Sequence, residues 1–325
     1  MRPNRWAPLV AAVVLTAGCS AGPADEAAPT RSAAPGTTAD PAPSTPTTTA
    51  LVVAAERDDA MLVGRLLQAG AAVDDVDGTG RTALQAAVTS GAGLDTVRVL
   101  VAAGADVSRA VGDARDAVLT TLTATQQPPP ADPAAALLAA ATSGDADAAA
   151  VALRAGAGLE VRDGRQRSPL LLAVTSDRLD VARLLVALGA DPDALDDRHD
   201  TPWLVTGVTG SVPMLEVLLP AGPDLTIRNR FGGVAVIPAS ERGHVEYVRR
   251  VAQTGIDVNH VNDPGWTALL EAVVYGDGSA RYQEIVRILL SAGADPSIGD
   301  AQGRTALDHA VARGHRAVAD ILRGG

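Results

Sequence analysis

The stretch RTALQAAVTSGAGLDTVRVLVAAGADV, at residues 81–107, returns in altered form near the C-terminus as RTALDHAVARGHRAVADIL, at residues 304–322. A third version, SPLLLAVTSDRLDVARLLVALGADPDA, occupies residues 168–194. Self-similarity of this kind is the sequence signature of a fold that stacks one unit many times. The repeat therefore decides the fold class.

A glycine marks the end of each unit. The spacings between successive marker glycines are 34, 52, 33, 33, 33 and 38 residues, so a period of 33 holds three times in a row. Glycine readily adopts the left-handed backbone conformation that ends a helix. The marker glycines are Gly70, Gly104, Gly156, Gly189, Gly222, Gly255 and Gly293.

A hydroxyl residue marks the start of the first helix in each clear unit. Its side chain can accept a hydrogen bond from the exposed amides of the first helical turn. The pattern predicts helix, turn, helix and an extended finger in eight units, two of them partial, and neighbouring units must cover each other's apolar faces. The hydroxyl residues are Thr82, Ser168, Thr201, Thr267 and Thr305.

These units resemble the ankyrin repeat, whose pattern is D-x-x-G-x-T-P-L-H-x-A-A followed by V-x-x-L-L-x-x-G-A. The resemblance covers about residues 50–325 and implies an all-α ankyrin-repeat solenoid with β-hairpin-like fingers, a fold that binds other molecules. The histidine of T-P-L-H is absent throughout this chain, and we expect packing to replace its hydrogen bonds to the backbone. Its position is taken by Gln85, Leu171, Leu204, Ile237, Leu270 and Asp308.

The first 49 residues have the composition of a signal peptide and a linker. Arg2 and Arg5 precede a short apolar run and then the single cysteine of the chain, Cys19. This arrangement resembles the bacterial lipoprotein signal. The resemblance implies a signal peptide at residues 1–18, a lipid on Cys19 and a location on the extracytoplasmic face of the cell membrane. Ordinary secretion is the alternative. Residues 19–49 are mostly Ala, Pro, Thr, Gly, Ser and Asp, and we expect a disordered tether there.

The repeat period is broken between Gly104 and Gly156, where 19 residues exceed one repeat. DARDAVLTTLTA, at residues 113–124, predicts an extra helix, and QQPPPADP, at residues 126–133, predicts a stiff spacer. The sequence therefore suggests a first block of repeats at 50–125, a Pro-rich spacer at 126–132 and a second block at 133–325, with a bend or hinge between the blocks.

Composition argues against several classes of function. A net charge of −11 repels phosphate backbones, so nucleic-acid binding is not expected. One cysteine and five histidines without helical spacing suggest neither a disulfide nor a metal site. No catalytic motif stands out, so we expect no cofactor and no enzymatic activity. We expect the chain to be a monomer and its partner to be another protein.

The predicted finger tips are rich in arginine for an acidic chain. They read VRDGRQRS at 161–168, LDDRHDTPW at 195–203, IRNRFGG at 227–233 and NHVNDPGW at 259–266. Equivalent positions of stacked repeats line up, and arginine and aromatic side chains are enriched in binding hot spots. A stripe that binds an acidic patch on a partner is one interpretation, and a solvated edge with some packing is the other. The candidate binding residues are Arg165, Arg198, Arg228, Arg230, Phe231, His260 and Trp266.

Glu241 and Glu271 suggest a different class of function. They lie on the first helices of adjacent repeats, where the pattern usually has small residues, and paired carboxylates can serve general acid–base chemistry. The alternative function is therefore a small-molecule or envelope-polymer binder, or a hydrolase, with a groove near Glu241, His260, Trp266 and Glu271. Surface or helix-pairing charges are the simpler interpretation of this pair.

Overall fold

The structure, a computed structural model, describes residues 46–110 and 116–324. Within those ranges every regular element is helical and no strand occurs. Cys19, the signal peptide and most of the tether predicted for residues 19–49 lie outside the described residues. The all-α prediction is therefore confirmed for the described part of the chain.

Eight pairs of helices follow one another, with one additional helix, α5 (Asp116–Ala124), after the second pair. Helix α5 lies in the segment for which the sequence suggested an extra helix. The pairs are α1 (Pro46–Glu56) with α2 (Ala60–Gln68), α3 (Ala83–Ser90) with α4 (Leu94–Ala102), α6 (Pro133–Ser143) with α7 (Ala146–Arg154), α8 (Pro169–Thr175) with α9 (Leu179–Ala187), α10 (Pro202–Thr209) with α11 (Val212–Leu218), α12 (Val236–Glu241) with α13 (Val245–Val251), α14 (Ala268–Val274) with α15 (Ala280–Ser291), and α16 (Ala306–Ala312) with α17 (Arg316–Gly324).

The helix boundaries follow the two sequence markers. All five hydroxyl residues accept a hydrogen bond from the backbone amide three residues later, as N-caps do. All seven marker glycines have φ between 70° and 97°, where a side chain would be strained. The local chemistry of single residues therefore sets where each unit begins and ends.

Two solutions replace the missing histidine of the repeat pattern. Gln85 and Asp308 form capping boxes with the hydroxyl residues Thr82 and Thr305, so each pair satisfies two amides of the first turn. The expectation that packing takes over is confirmed at the four apolar positions, all of which are buried. These are Leu171, Leu204, Ile237 and Leu270.

The first helix begins at Pro46, before the boundary at residue 50 that the sequence suggested. Thr48 is 2% exposed, and its hydroxyl donates to the carboxylate of Asp75 at 3.2 Å. The finger that follows the first repeat thus supplies a polar partner for a buried hydroxyl in this Thr-rich first turn. The end of the predicted tether, residues 46–49, therefore belongs to the first repeat.

The repeats form two stacks that meet by their second helices. First helices pack in sequence from α6 through α8, α10, α12 and α14 to α16, and separately α1 packs on α3. Where the second block begins, α4 packs against α7 and α9, and α2 also packs against α9. The break in the repeat period therefore turns repeats 1 and 2 back onto repeats 3 and 4.

A buried arginine holds the two stacks together. Arg98 on α4 is 8% exposed, and its Nε lies 2.7 Å from a carboxylate oxygen of Asp147 on α7. Its Nη1 lies 3.7 Å from Asp180 on α9, and the hydroxyl of Thr121 on α5 donates to Asp147 at 2.9 Å. Because Arg98 is buried, removing its carboxylate partners would leave its charge without compensation between the stacks.

A glycine allows the closest approach between the stacks. A Cβ atom on Gly64 of α2 would lie 1.8 Å from the carbonyl oxygen of Ala187 on α9. The side-chain amide of Gln68 donates to that same oxygen at 3.3 Å. The backbones of α2 and α9 therefore touch at a point where no side chain fits.

We predict that Gly64→Ala destabilises the protein by about 1–3 kcal/mol, because the added methyl group forces α2 away from α9. This is the net effect after the roughly 1 kcal/mol by which alanine favours a helix over glycine, because the clash is with a backbone oxygen and no side-chain movement relieves it. Urea unfolding followed by circular dichroism measures the effect. Gly78→Ala is the control, since a Cβ there meets no atom within 4 Å. Equal stability of the two variants would show that the stacks do not touch at Gly64.

Candidate partner-binding groove

The finger tips are hairpin-like turns, each held by one side chain. In three successive tips an Asp or Asn accepts hydrogen bonds from the backbone amides two and four residues later, at 2.8–3.0 Å. The residue two positions after the acceptor is therefore structurally equivalent in the three tips. The acceptors are Asp163, Asp196 and Asn229, and the residues so placed are Arg165, Arg198 and Phe231.

Two of these tips carry backbone strain. The position after Arg165 and Arg198 is glycine in the other repeats of this type, with φ of 71–87° at Gly80, Gly232, Gly265 and Gly303. Here it is Gln166, with φ of 59°, and His199, with φ of 58°. A non-glycine residue in this region costs of order 1–3 kcal/mol and is found most often at functional sites.

A cleft of about 330 Å³ lies between the tips and the first helices α8, α10 and α12. Five arginines and three carboxylates line it, in a chain whose net charge is −11. We call it the arginine cleft. Its charged residues are Arg165, Arg167, Arg198, Arg230, Arg242, Asp196, Asp200 and Glu241.

Internal carboxylates neutralise only some of these arginines. Arg167 pairs with Asp163 at 2.6 Å and Arg230 with Asp200 at 3.2 Å, whereas Arg198 lies 4.0 Å from Asp200. The guanidinium groups of Arg165 and Arg242 form no ion pair with any described residue. The cleft therefore offers positive charge to a ligand.

A second cleft, of about 320 Å³, adjoins the first. Four residues line both clefts, so the two form one continuous groove; these are Asn229, Phe231, Pro238 and Glu241. The second cleft adds Glu271 and Tyr275, and we call it the carboxylate cleft. Phe231 is 53% exposed, and the guanidinium carbon of Arg230 lies 4.6 Å from its ring centroid, a cation–π contact.

Glu271 is a buried carboxyl group in this second cleft. It is 6% exposed, and its Oε1 accepts a hydrogen bond from the side-chain amide of Asn262 at 3.0 Å. Its Oε2 has no hydrogen-bond partner among the described residues. Burial raises the pKa of Glu271 to about 7; the Asn262 hydrogen bond opposes this shift and the charge of Glu241 adds to it.

The structure brings together four of the seven stripe residues, namely Arg165, Arg198, Arg230 and Phe231, and adds Glu241 and Glu271 to the same groove. Arg228 is exposed on the same finger as Arg230, outside the walls of both clefts.

His260 and Trp266 lie outside the groove walls, where they make contacts within the fold. Nε2 of His260 donates to the carbonyl oxygen of Gly232 at 2.6 Å and so joins two fingers. The half-buried ring of Trp266 packs 5.4 Å from that of Tyr275. The alternative site therefore retains its two glutamates in the groove, while its histidine and tryptophan support neighbouring structure.

Sequence reasoning missed Arg242 and Tyr275, which are the C-caps of α12 and α14 and line the groove. Aligning the repeats by the ends of their first helices would have found both.

The described residues contain no group of three or more His, Cys, Asp or Glu side chains that could hold a metal ion. None of the described helices has both the length and the apolar composition to cross a membrane.

Comparison with known proteins identifies the repeat. The family described as "Ankyrin repeats (3 copies)" matches residues 33–111 and 205–300, more than half of the chain. The descriptions "Ankyrin repeat" and "Ankyrin repeats (many copies)" match residues 165–197 and 279–323. The chain belongs to the ankyrin-repeat family. Ankyrin repeats generally form interaction modules that bind other proteins.

Similar proteins share this architecture. An ankyrin repeat domain from Acinetobacter baumannii AYE is 41% identical, with a TM-score of 0.56 over 58% of this chain and 96% of that one. The ankyrin repeat protein EF0377 is 37% identical, with the same TM-score over 58% of this chain and 97% of its own. The predicted ankyrin fold is confirmed.

Curated relatives match shorter parts. The putative ankyrin repeat protein YahD of Escherichia coli K12 is 46% identical over 110 residues, which are 34% of this chain and 55% of YahD. The human mitochondrial disaggregase is 38% identical over 66 residues, which are 20% of this chain and 9% of that protein. The chain thus spans about half of YahD and under a tenth of the disaggregase.

We predict that Glu271→Gln stabilises the protein at pH 8 by about 3 kcal/mol and changes its stability little at pH 4.5. The folded pKa of about 7 exceeds the ordinary value of 4.5. Between pH 4.5 and pH 7 the folded carboxyl keeps a proton that the unfolded chain releases, so the free energy of unfolding falls as pH rises. Glutamine does not titrate and removes this contribution.

Urea unfolding at several pH values measures the difference. Glu246→Gln is the control, because its side chain is 75% exposed on α13. If wild type and Glu271→Gln show the same change in stability between pH 4.5 and 8, Glu271 does not titrate as a buried group.

Proposed function

We propose that this chain is a non-enzymatic scaffold that binds an acidic segment of a protein partner in the groove. The observation that carries the proposal is the arginine cleft, with five arginines in a chain of net charge −11 and two of them without an ion pair among the described residues. Guanidinium groups bind carboxylates through two parallel hydrogen bonds, which favours a segment rich in Asp or Glu.

The rigidity of the tips supports binding without much loss of entropy. Each tip is fixed by its own Asp or Asn, so Arg165, Arg198 and Phe231 are held near their binding positions before the partner arrives. Preorganised side chains lose less conformational freedom on association and so bind more tightly. We infer that the chain acts as a monomer towards this partner.

A small-ligand or hydrolytic site in the same groove is the second candidate. One observation favours it: Glu241 and Glu271 line one cleft, and the pKa of Glu271 is about 7, which suits general acid–base catalysis near neutral pH. A partner protein that is released by salt favours the scaffold. A metabolite that raises the melting temperature, with no protein partner captured, favours the second candidate.

We propose that the scaffold is anchored to the extracytoplasmic face of the membrane through a lipid on Cys19. The supporting observation is the order of the N-terminal sequence, in which two arginines and a short apolar run precede the only cysteine. A bacterial lipoprotein carries several acyl chains, and more than one chain is needed for stable anchoring.

Immobilised full-length chain is expected to retain one stoichiometric partner from solubilised envelope and secreted proteins. Arg165→Ala with Arg198→Ala should weaken that binding at least about 100-fold, since each charge-assisted contact contributes about 1.5–3 kcal/mol. Binding should also weaken when salt is raised from 50 to 300 mM, because exposed charges are then screened. Biolayer interferometry gives the affinities.

The control is Arg313→Ala with Arg316→Ala, which removes the same charge from exposed positions in repeat 8. If both double variants weaken binding equally, overall charge and not the groove determines affinity, and the proposed site is wrong.

Metabolic labelling with palmitate tests the anchor. Wild type is expected to incorporate label and to sediment with membranes, and Cys19→Ser to do neither, because the thiol is the atom that receives the lipid. Equal labelling of the two proteins would end the lipoprotein proposal, and a soluble, unlabelled wild type would favour secretion.

A further inference from the structure

The carboxylate cleft contains two glutamates and no basic side chain in its walls. Glu271 is 94% buried, since 6% of it is exposed, and one of its oxygens lacks a partner among the described residues. A second carboxylate, Glu241, lines the same cleft. The ten residues that form its walls include no arginine and no histidine.

We propose that the carboxylate cleft binds the side-chain ammonium group of a lysine in the partner segment. The groove would then recognise an acidic run in the arginine cleft and a lysine beside it, which fixes the direction in which the segment lies. This inference rests on the proposed function and specifies the chemistry of its partner.

The wall residues favour lysine over arginine. Oε1 of Glu271 is already occupied by Asn262, so a single oxygen of that carboxylate is available. A guanidinium group binds best to two oxygens of one carboxylate, whereas an ammonium group is a compact point charge with three donors that can reach one oxygen on each of two carboxylates.

The remaining walls suit the methylene stem of lysine. Ile237, Pro238 and Pro264 are apolar, and the exposed rings of Phe231 and Tyr275 lie at the same cleft. Aromatic faces attract cations, and long basic side chains bury their stems against apolar surface while their charged ends find polar partners.

Access to Glu271 requires a side-chain movement. Its free oxygen has almost no exposed area, so the ammonium group reaches it only when a wall residue turns aside. Tyr275 is 59% exposed and lines the cleft. Exposed side chains change rotamer within picoseconds to nanoseconds, so this movement does not limit binding.

Lysine binding should depend on pH. A bound ammonium group favours the ionised carboxylate, so below pH 7 binding releases a proton from Glu271, and the preference for lysine should grow from pH 6 to pH 8. The neighbouring charge that raises the pKa of Glu271 is that of Glu241. The other charged or titratable groups on elements packed against α14 are Arg281, Tyr282, Glu284 and Arg287 on α15 and Asp308 and His309 on α16.

The test uses two fluorescent peptides that differ in one side chain. Each has four aspartates, a glycine–serine spacer of one to five residues, and then lysine or norleucine, which keeps the apolar stem without the ammonium group. Anisotropy with the purified full-length chain at pH 8 should give about tenfold tighter binding for lysine at the best spacer length.

Two variants separate the clefts. Glu271→Gln should remove the lysine preference and leave the affinity for the norleucine peptide unchanged. Arg198→Ala should weaken both peptides by the same factor. Folding does not confound the first variant, since glutamine is expected to be the more stable residue at this pH.

Cross-linking gives an independent measurement. The chain contains no lysine, so a carbodiimide can join the lysine of the peptide to the carboxylates of the protein without using protein lysines. Mass spectrometry should locate the new amide bond at Glu271 or Glu241.

The outcomes are distinct. Equal binding of the lysine and norleucine peptides to wild type, or a preference that survives Glu271→Gln, overturns the lysine site. If that equal binding is still weakened by Arg198→Ala, the acidic-segment proposal stands. Binding of neither peptide overturns both.

Discussion

One hydrogen-bond arrangement, an Asp or Asn that accepts from the amides of its own finger tip, gives the groove its shape. It occurs at Asp163, Asp196 and Asn229, each one repeat from the next. Because the turn is closed by its own side chain, the tip does not need a partner to become ordered. The stacking of first helices then converts a spacing of 33 residues along the sequence into neighbouring positions along one surface. The charged side chains of successive tips therefore form one continuous surface because the tips are ordered and the first helices are stacked.

The groove collects several features that reduce stability. Gln166 and His199 hold a left-handed backbone beside the two exposed arginines, Phe231 leaves half of its ring in water, and Glu271 is buried without a full set of partners. In the other described repeats of this type glycine occupies the equivalent tip position. Departures from the local rules of folding are expected where a surface serves binding.

The sequence predicted the elements that depend on near neighbours. N-cap hydroxyls, left-handed glycines and the order of helices each involve residues three to ten positions apart. The residues around Thr82 or Gly104 are therefore enough to locate the start or the end of a helix. The fold-back of repeats 1 and 2 depends on which faces of α2, α4 and α9 meet. The broken repeat period at residues 104–156 predicted a bend or hinge, but nothing near Gly64 or Arg98 in the sequence indicates which helices meet there. The burial of Glu271 and the bond from His260 to the neighbouring finger likewise arise only when two repeats are stacked.

The contact between the stacks changes how the array can come apart. In a linear array each repeat is held only by its neighbours, so both ends can fray one unit at a time. Here α2, in the first repeat, lies against α9, in the fourth, and Gln68 reaches Ala187 across 119 residues of sequence. The first repeat can therefore leave the array only by breaking its contact with the fourth repeat as well as its contact with the second. The main contacts of α16 and α17 are with each other and with the repeat before them, so we expect unravelling to start at the C-terminal end.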